Sequence, residues 1–276
     1  MPTNIDGFTV FGAIEQKWLS IGGPNSPLKH PVTNEFKTFD GVGRRQNFQG
    51  GMISWRPNTG AFVVWGLIGE RWLQIGAEQF GYPITDESVT GDRKGRFNHF
   101  RAFRADNSLI GESTIIWQPQ TGAHQIYGAI RDFWAKNGWE RSQVGYPVNA
   151  EEDRSDQAGR SQLFQRGRIL WTSSNGAYYA RPTITNTDPI KDNGYFVEVR
   201  GVDFTPYLGV TLNYRFTAAV RHEGDPVNTT SGTEVAVCDK AGRFVHRLPV
   251  TFGDNLHGGH VDAIDVATNV ATSKDF

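Results

Sequence analysis

One skeleton occurs three times in the first 180 residues: Gly-Arg-x-(Gln/Asn)-x-Phe, a hydrophobic run ending in Trp, a short polar turn, Gly-Ala and a second apolar run. It reads GRRQNFQGGMISWRPNTGAFVVWG from Gly43, GRFNHF and then IIWQPQTGAHQIYG from Gly95, and GRSQLFQRGRILWTSSNGAYYA from Gly159. Trp55, Trp117 and Trp171 stand 62 and 54 residues apart, while the preceding Phe lies 7 residues before the Trp in the outer copies and 17 before it in the middle one. Ten residues are therefore inserted between Phe100 and Trp117. Periods above about 50 suit propeller-like blades or hairpin modules better than the shorter solenoid repeats. A unit this small cannot bury enough apolar surface alone, so neighbouring copies must share a core.

Between the copies the chain alternates two further signals. After an aromatic-Gly-x-Ile step come IEQKWLSIG (14–22), IGERWLQIG (68–76) and IRDFWAKNG (130–138), whose spacing predicts two helical turns ended by Gly. A Pro-led signature follows each: PVTNE (31–35), PITDE (83–87) and PVNAE (147–151). Residues 8–14, FTVFGAI, match the tail of a unit, and the last copy stops at Ala180 before Arg181-Pro182. An array that opens and closes in mid-unit predicts that residues 8–14 pair with the last copy and close a ring, which would remove two strand edges.

The repeats are expected to fill residues 1–182, in units of about 8–66, 66–128 and 128–180. Beyond Pro182, short apolar alternations such as GYFVEVRGVDF, GVTLNYRFTAAVRH and GRFVHRLPVTF are separated by Gly, Asp and Pro. They predict an immunoglobulin-like β-sandwich over 183–276. The fold class expected for the whole chain is all-β with short helical turns, a propeller-like array followed by that sandwich.

Net charge of -1 argues against nucleic acid as the main partner, since phosphate recognition usually needs a concentrated basic face. The single Cys238 excludes an internal disulfide and sits in TEVAVCDKAG, where a buried apolar role is the default. No segment reads as a membrane span or as a signal peptide.

The ordered set W-(L/A)-x-(I/N)-G, Gly-Tyr-Pro (Gly81 to Pro83, Gly145 to Pro147), P-(V/I)-(T/N)-x-E, G-R-x-(Q/N)-x-F and W-x-P-x-T-G-A resembles the LGFP repeat family over the first 180 residues. Unit one departs from it, with Pro27-Leu28-Lys29-His30-Pro31 at the Gly-Tyr-Pro turn. The family is similar to modules appended to bacterial cell-envelope enzymes and thought to hold them on cell-wall polysaccharide. The resemblance therefore implies a propeller-like array, a polysaccharide or glycan partner, and an extracellular or cell-surface location.

Two tryptophan series recur, Trp18, Trp72, Trp134 and Trp55, Trp117, Trp171, and both sit where apolar faces predict core plugs. Trp65, Tyr127 and Trp139 are the aromatic residues placed to stand at the surface as sugar platforms. Glu35, Glu87 and Glu151 each precede Arg44, Arg96 and Arg160 by 9 residues, and Gln46, Asn98 and Gln162 follow two further on. A carboxylate and a guanidinium in each unit can hold vicinal hydroxyls through charge-assisted hydrogen bonds, or can pair with each other as framework.

His257-Gly258-Gly259-His260-Val261-Asp262, near Asp254 and Asp265, invites a metal reading, but a polar loop is the simpler expectation. No nucleophile elbow, phosphate loop or His-Glu-x-x-His is present. The expectation is a protein without catalytic residues, cofactor or metal that binds carbohydrate through repeated sites. A protein-binding scaffold or adhesin is the alternative, with a hydrolase a distant third and closure by homodimerisation open.

Overall fold

Each copy of the skeleton folds as an antiparallel meander, its alternating apolar residues dividing between the two faces of a small sheet. The computed structural model describes residues 2–154, 159–191, 195–204, 209–218, 229–239, 242–250, 256–266 and 271–276. Two compact units emerge, Met1–Glu151 and Glu152–Phe276.

In the first unit, β1 (Thr3–Ile5) and β2 (Phe8–Val10) form a hairpin that leads into helix α1 (Gly12–Ser20). A sheet of β3 (Phe36–Lys37), β4 (Arg44–Phe48), β5 (Gly51–Arg56) and β6 (Gly60–Trp65) follows, its strands in sequence order. Helix α2 (Gly66–Gln74) leads to the second sheet, in which β9 (Arg96–Phe103) pairs with β7 (Tyr82–Pro83), β8 (Ser88–Val89) and β10 (Leu109–Gln118), and β10 with β11 (Gly122–Tyr127). Helix α3 (Gly128–Lys136) comes next.

The helices begin two residues earlier than the apolar spacing predicts. Their first residues, Gly12, Gly66 and Gly128, have φ of 61°, 53° and 57°. A Cβ there would meet nothing within 4 Å, so the left-handed backbone, and not crowding, requires glycine. The ten-residue insertion lengthens the β9–β10 hairpin, and Asn107 at its tip accepts a 2.6 Å hydrogen bond from the buried Arg56 of the first sheet.

Both faces of the first sheet are buried, against different helices. Ile53 and Val63 pack with Ile14 and Trp18 of α1, whereas Met52 and Val64 pack with Ile68 and Trp72 of α2 and with Phe100 and Ile115 of the second sheet. Helix α2 is thus a wedge between successive sheets. Trp18, Trp72 and Trp134 are fully buried, and their indole N–H groups donate to the carbonyls of Lys29, Gly81 and Gly145 at 2.9, 2.9 and 3.1 Å. This series is core, as its spacing predicts.

The second unit begins with the third copy of the meander: β12 (Glu152–Asp153), β13 (Arg160–Phe164), β14 (Gly167–Thr172) and β15 (Gly176–Tyr179). The remaining strands are β16 (Thr183–Lys191), β17 (Tyr195–Val202), β18 (Gly209–Ala218), β19 (Thr229–Val237), β20 (Phe244–Pro249), β21 (Leu256–Asp265) and β22 (Ala271–Asp275). They form two antiparallel sheets, β16-β17-β20 and β19-β18-β21-β22. Val197, Val199 and Leu248 of one and Leu212, Phe216 and Val261 of the other join a single hydrophobic cluster. Cys238 is free and buried in that cluster, and burial together with Asp265 and Asp239 pushes its thiol up to about 12.

The compact units divide at 151/152, whereas the sequence repeat runs on to 182. Arg168 of β14 accounts for part of that grouping: it is buried, burial lowers its pKa, and the opposing charges of Asp203, Glu152 and Asp265 act on it.

Phe8–Val10 pairs with Thr3–Ile5 and its Val10 belongs to the α1 core, while Gly176–Tyr179 pairs with β14. One expectation is corrected. The His257 to Asp262 stretch is not a loop but lies within β21, because both of its edges are paired, to β18 and β22. Among the described residues no group of His, Cys, Asp and Glu is placed to hold a metal ion. Asp254 lies outside the described residues. Among the described residues no helix is long and apolar enough to cross a membrane.

Candidate functional site

The Pro-led signatures and the Gly-Tyr-Pro turns join each repeat to the one before it. Tyr82 reaches back to the β3–β4 turn, where its hydroxyl donates to Asp40 at 2.7 Å and lies 2.6 Å from the Thr38 hydroxyl. Tyr146 does the same one repeat later, donating to Asp92 at 2.6 Å and lying 3.0 Å from the Thr90 hydroxyl. The glycine that opens the first two skeletons makes room for the ring: a Cβ on Gly43 would sit 2.4 Å from Tyr82, and one on Gly95 2.9 Å from Tyr146. Burial alone would raise the Asp40 pKa, but hydrogen bonds from Tyr82, Thr38, Gly43 and Val42 outweigh it and hold the carboxyl at about 2. Unit one has no Tyr at this turn. His30 there pairs with Asp6 instead.

The signature residues also cover the open edge of the preceding strand. The Val63 N–H donates to Asp86 at 3.0 Å, and the Val63 carbonyl accepts from the Asn98 amide at 3.1 Å. Thr9 is held equivalently, by Asn34 at 2.9 Å and Gln46 at 3.1 Å. The same amides bind the loop carbonyls of Thr33 and Thr85, both at 2.9 Å. Gln46, Asn98 and Gln162 are fully buried, so these three site candidates present no group to a surface ligand. Asn34 and Asp86, which the motif reading passed over, are the residues that complete the joint.

A different set reaches solvent. Arg44, Trp55 and Ala61 are direct cross-strand neighbours, and so are Arg96, Trp117 and Ala123, and Arg160, Trp171 and Ala177. Side chains so paired stand about 4.5–5.5 Å apart on one face. Trp55, Trp117 and Trp171 are half-buried, Trp55 and Trp117 packing against the edges of the core clusters, so the core role their spacing predicts holds only in part. Each shares a face with a core residue, as Trp55 does with Ile53, but lies two positions further along, at the rim of the cluster. The alanine, with a single methyl, stands on one flank of the indole. On its other flank stands a guanidinium, with side-chain exposures of 31% for Arg44, 48% for Arg96 and 32% for Arg160.

The carboxylates bear on these arginines. Glu35 lies 3.2 Å from Arg44 and Glu87 lies 3.9 Å from Arg96, while Arg160 pairs with Asp153. Burial raises the pKa of Glu35 and of Glu87, with the arginines opposing it, and Glu87 also accepts a hydrogen bond from the Trp65 side chain. Glu151 is half-buried at the end of the first unit.

The three aromatic candidates fare unequally. Trp65 is half-buried beside Glu87, and Tyr127 packs edge-on to Phe80 at 6.3 Å. Trp139 is not a free platform. Its ring lies 5.3 Å from Trp134 and 5.3 Å from His99, and the Arg131 guanidinium sits over it at 5.3 Å. It adopts a left-handed φ of 58° at a place where the other repeats carry Gly23 and Ala77.

No curated protein matches the chain. The LGFP repeat profile matches residues 30–79, 80–142 and 144–187, windows that open close to the Pro-led turns. With three ordered matches over more than half of its length, the chain belongs to the LGFP repeat family.

Proposed function

We propose that the chain is a non-catalytic carbohydrate-binding protein that recognises cell-surface or cell-wall polysaccharide through its repeats. The observation that carries this reading is the thrice-repeated row of guanidinium, half-exposed indole and alanine. A pyranose laid on the indole loses apolar C–H surface to water, and the guanidinium and its carboxylate partner bind the hydroxyls at the ring's edge. Glu35/Arg44, Glu87/Arg96 and Arg160 supply those polar groups. Single shallow sites of this kind bind weakly, and copies on one chain add avidity.

A propeller-like arrangement of the repeats is part of the proposal, supported by the helix wedged between successive sheets and by the recurring joints. So is an immunoglobulin-like sandwich for the C-terminal strands, supported by sheets of three and four strands around one core. Repetition favours binding over catalysis, which rests on one asymmetric constellation. Action at a polysaccharide implies an extracellular or cell-surface location.

The test is a glycan array, cell-wall polysaccharide included, probed with the full chain and followed by calorimetry. Trp55→Ala, Trp117→Ala and Trp171→Ala are each expected to weaken binding, and the triple variant to abolish it. Silence of the wild type on every carbohydrate, or an unweakened triple variant, overturns the proposal in favour of a protein partner.

A further inference from the structure

The outer face of the β19-β18-β21-β22 sheet carries a shallow concavity of about 370 Å³ lined by Asn213, Arg215, Ser231, Thr233, His260 and Asp262. Strand register explains why these polar groups converge. Arg215 faces Ser231 on one neighbouring strand and His260 on the other, and two positions along, Asn213 faces Thr233 and Asp262. Alternation along β18 sends Leu212, Tyr214 and Phe216 into the core and leaves Asn213 and Arg215 outward.

Most of the lining is held in place by its neighbours. Thr233 donates to Asn213 at 2.8 Å. His260 is 3.1 Å from Asp262 through Nε2 and pairs with Asp275 of β22 through Nδ1. Arg215 is exposed and, among the described residues, has neither an ion pair nor a side-chain hydrogen bond. A guanidinium fork with no partner, flanked by a hydroxyl and an imidazole, is therefore the charged lining group whose donors are uncommitted.

We infer that this concavity is a second binding site, separate in sequence from the repeats, and that it takes a sugar bearing one carboxylate, a uronate. The Arg215 fork matches a carboxylate in a bidentate pair. Ser231, Thr233 and Asn213 suit hydroxyl groups, and Asp262 accepts from them. The charge balance selects between anions. Arg215 and His260 stand against Asp262 inside the lining and Asp275 beside it, so the site has no surplus of positive charge and disfavours a phosphate dianion more than a single carboxylate on the Arg215 fork.

The experiment is a titration of the full chain, followed by NMR, with glucuronate and galacturonate, with glucose, and with glucose 6-phosphate. Uronate is expected to bind, with weaker shifts from glucose and from the phosphate. Arg215→Ala is expected to weaken uronate by about tenfold or more, and Arg215→Lys, which keeps the charge but loses the fork, by a smaller factor. Arg215 is exposed, so circular dichroism is expected to match the wild type. The shifted amides are expected to belong to β18, β19 and β21 and not to the repeats, which separates this site from any in the array. No uronate binding, equal binding of glucose, tighter binding of the phosphate, or full retention in Arg215→Ala each overturns the inference.

Discussion

The two joints within the first unit solve the same packing problem with different chemistry. At their rims they match: Tyr82 on Asp40 and Thr38, then Tyr146 on Asp92 and Thr90. Beneath the rim they diverge. The first joint buries Glu78, which accepts from Ser54 at 2.9 Å and from Arg45 at 3.0 Å. At the positions of Arg45, Ser54 and Ala77 the second joint has Phe97, Ile116 and Trp139, and His99 lies 4.8 Å from Phe97 and 5.3 Å from Trp139. Its acid, Glu140, is buried and turned instead to the Asp92 N–H at 3.1 Å. A buried ion pair with a hydroxyl and an aromatic stack fill equivalent space, so the rim is what the two joints share and the filling is what tells them apart.

This contrast predicts a graded set of effects. The largest belongs to Arg45→Ala, which strands the buried Glu78 carboxylate and is expected to cost about 3–4 kcal/mol in denaturant unfolding. Adding Glu78→Gln is expected to recover part of that loss. A cost near zero for Arg45→Ala would remove the distinction between the joints.

The next effect separates them by pH. Burial and then Arg131 lower the His99 pKa to about 4, so the folded chain stays neutral there while the unfolded chain takes up a proton below about 6.5. Stability is full above that value, falls as pH drops from about 6.5 to 4, and levels off below; the total is about 2–3 kcal/mol. His99→Asn, which installs the first joint's residue, is expected to flatten that slope, as read from urea midpoints across the range.

The smallest effects concern what the joints share. Tyr82→Phe and Tyr146→Phe are each expected to cost about 1–2 kcal/mol at neutral pH. For Tyr82 the carboxylate partner is depressed to about 2, so its contribution is present above about 3.8 and lost as pH falls toward 2. The penalty of Tyr82→Phe is therefore expected to shrink over that acid window. Unequal penalties for the two tyrosines at neutral pH would show that the rim, too, differs.

Much of this fold is legible in the residues themselves. The Trp and Phe spacings locate the hairpins and the insertion, and the helices appear within two residues of their apolar pattern. What does not show is the partner of a side chain one repeat away. Nothing local in Gly81-Tyr82-Pro83 points to Asp40, 42 residues earlier. The strand Trp residues mislead for a related reason: alternation gives the face of a sheet but not where along the strand the core ends, so Trp55 reads like Ile53 while standing at its rim. The burial of Gln46 and Asn98 is likewise set by an edge strand of the preceding repeat. Of the candidate site, Arg44 and Arg96 beside their glutamates are visible from spacing. The indole that completes each row needs the register.

The tyrosine joint also works as a grammar for the gene. A middle repeat carries both plug and socket, Tyr82 with Thr90 and Asp92. The first carries a socket alone, and in the third Arg154 stands at the threonine position and bonds the Tyr178 hydroxyl. Recombination at equivalent points could therefore duplicate or excise the middle copy and still leave every plug with a socket. Array length is free to vary between descendants of such a gene, while the two ends stay fixed.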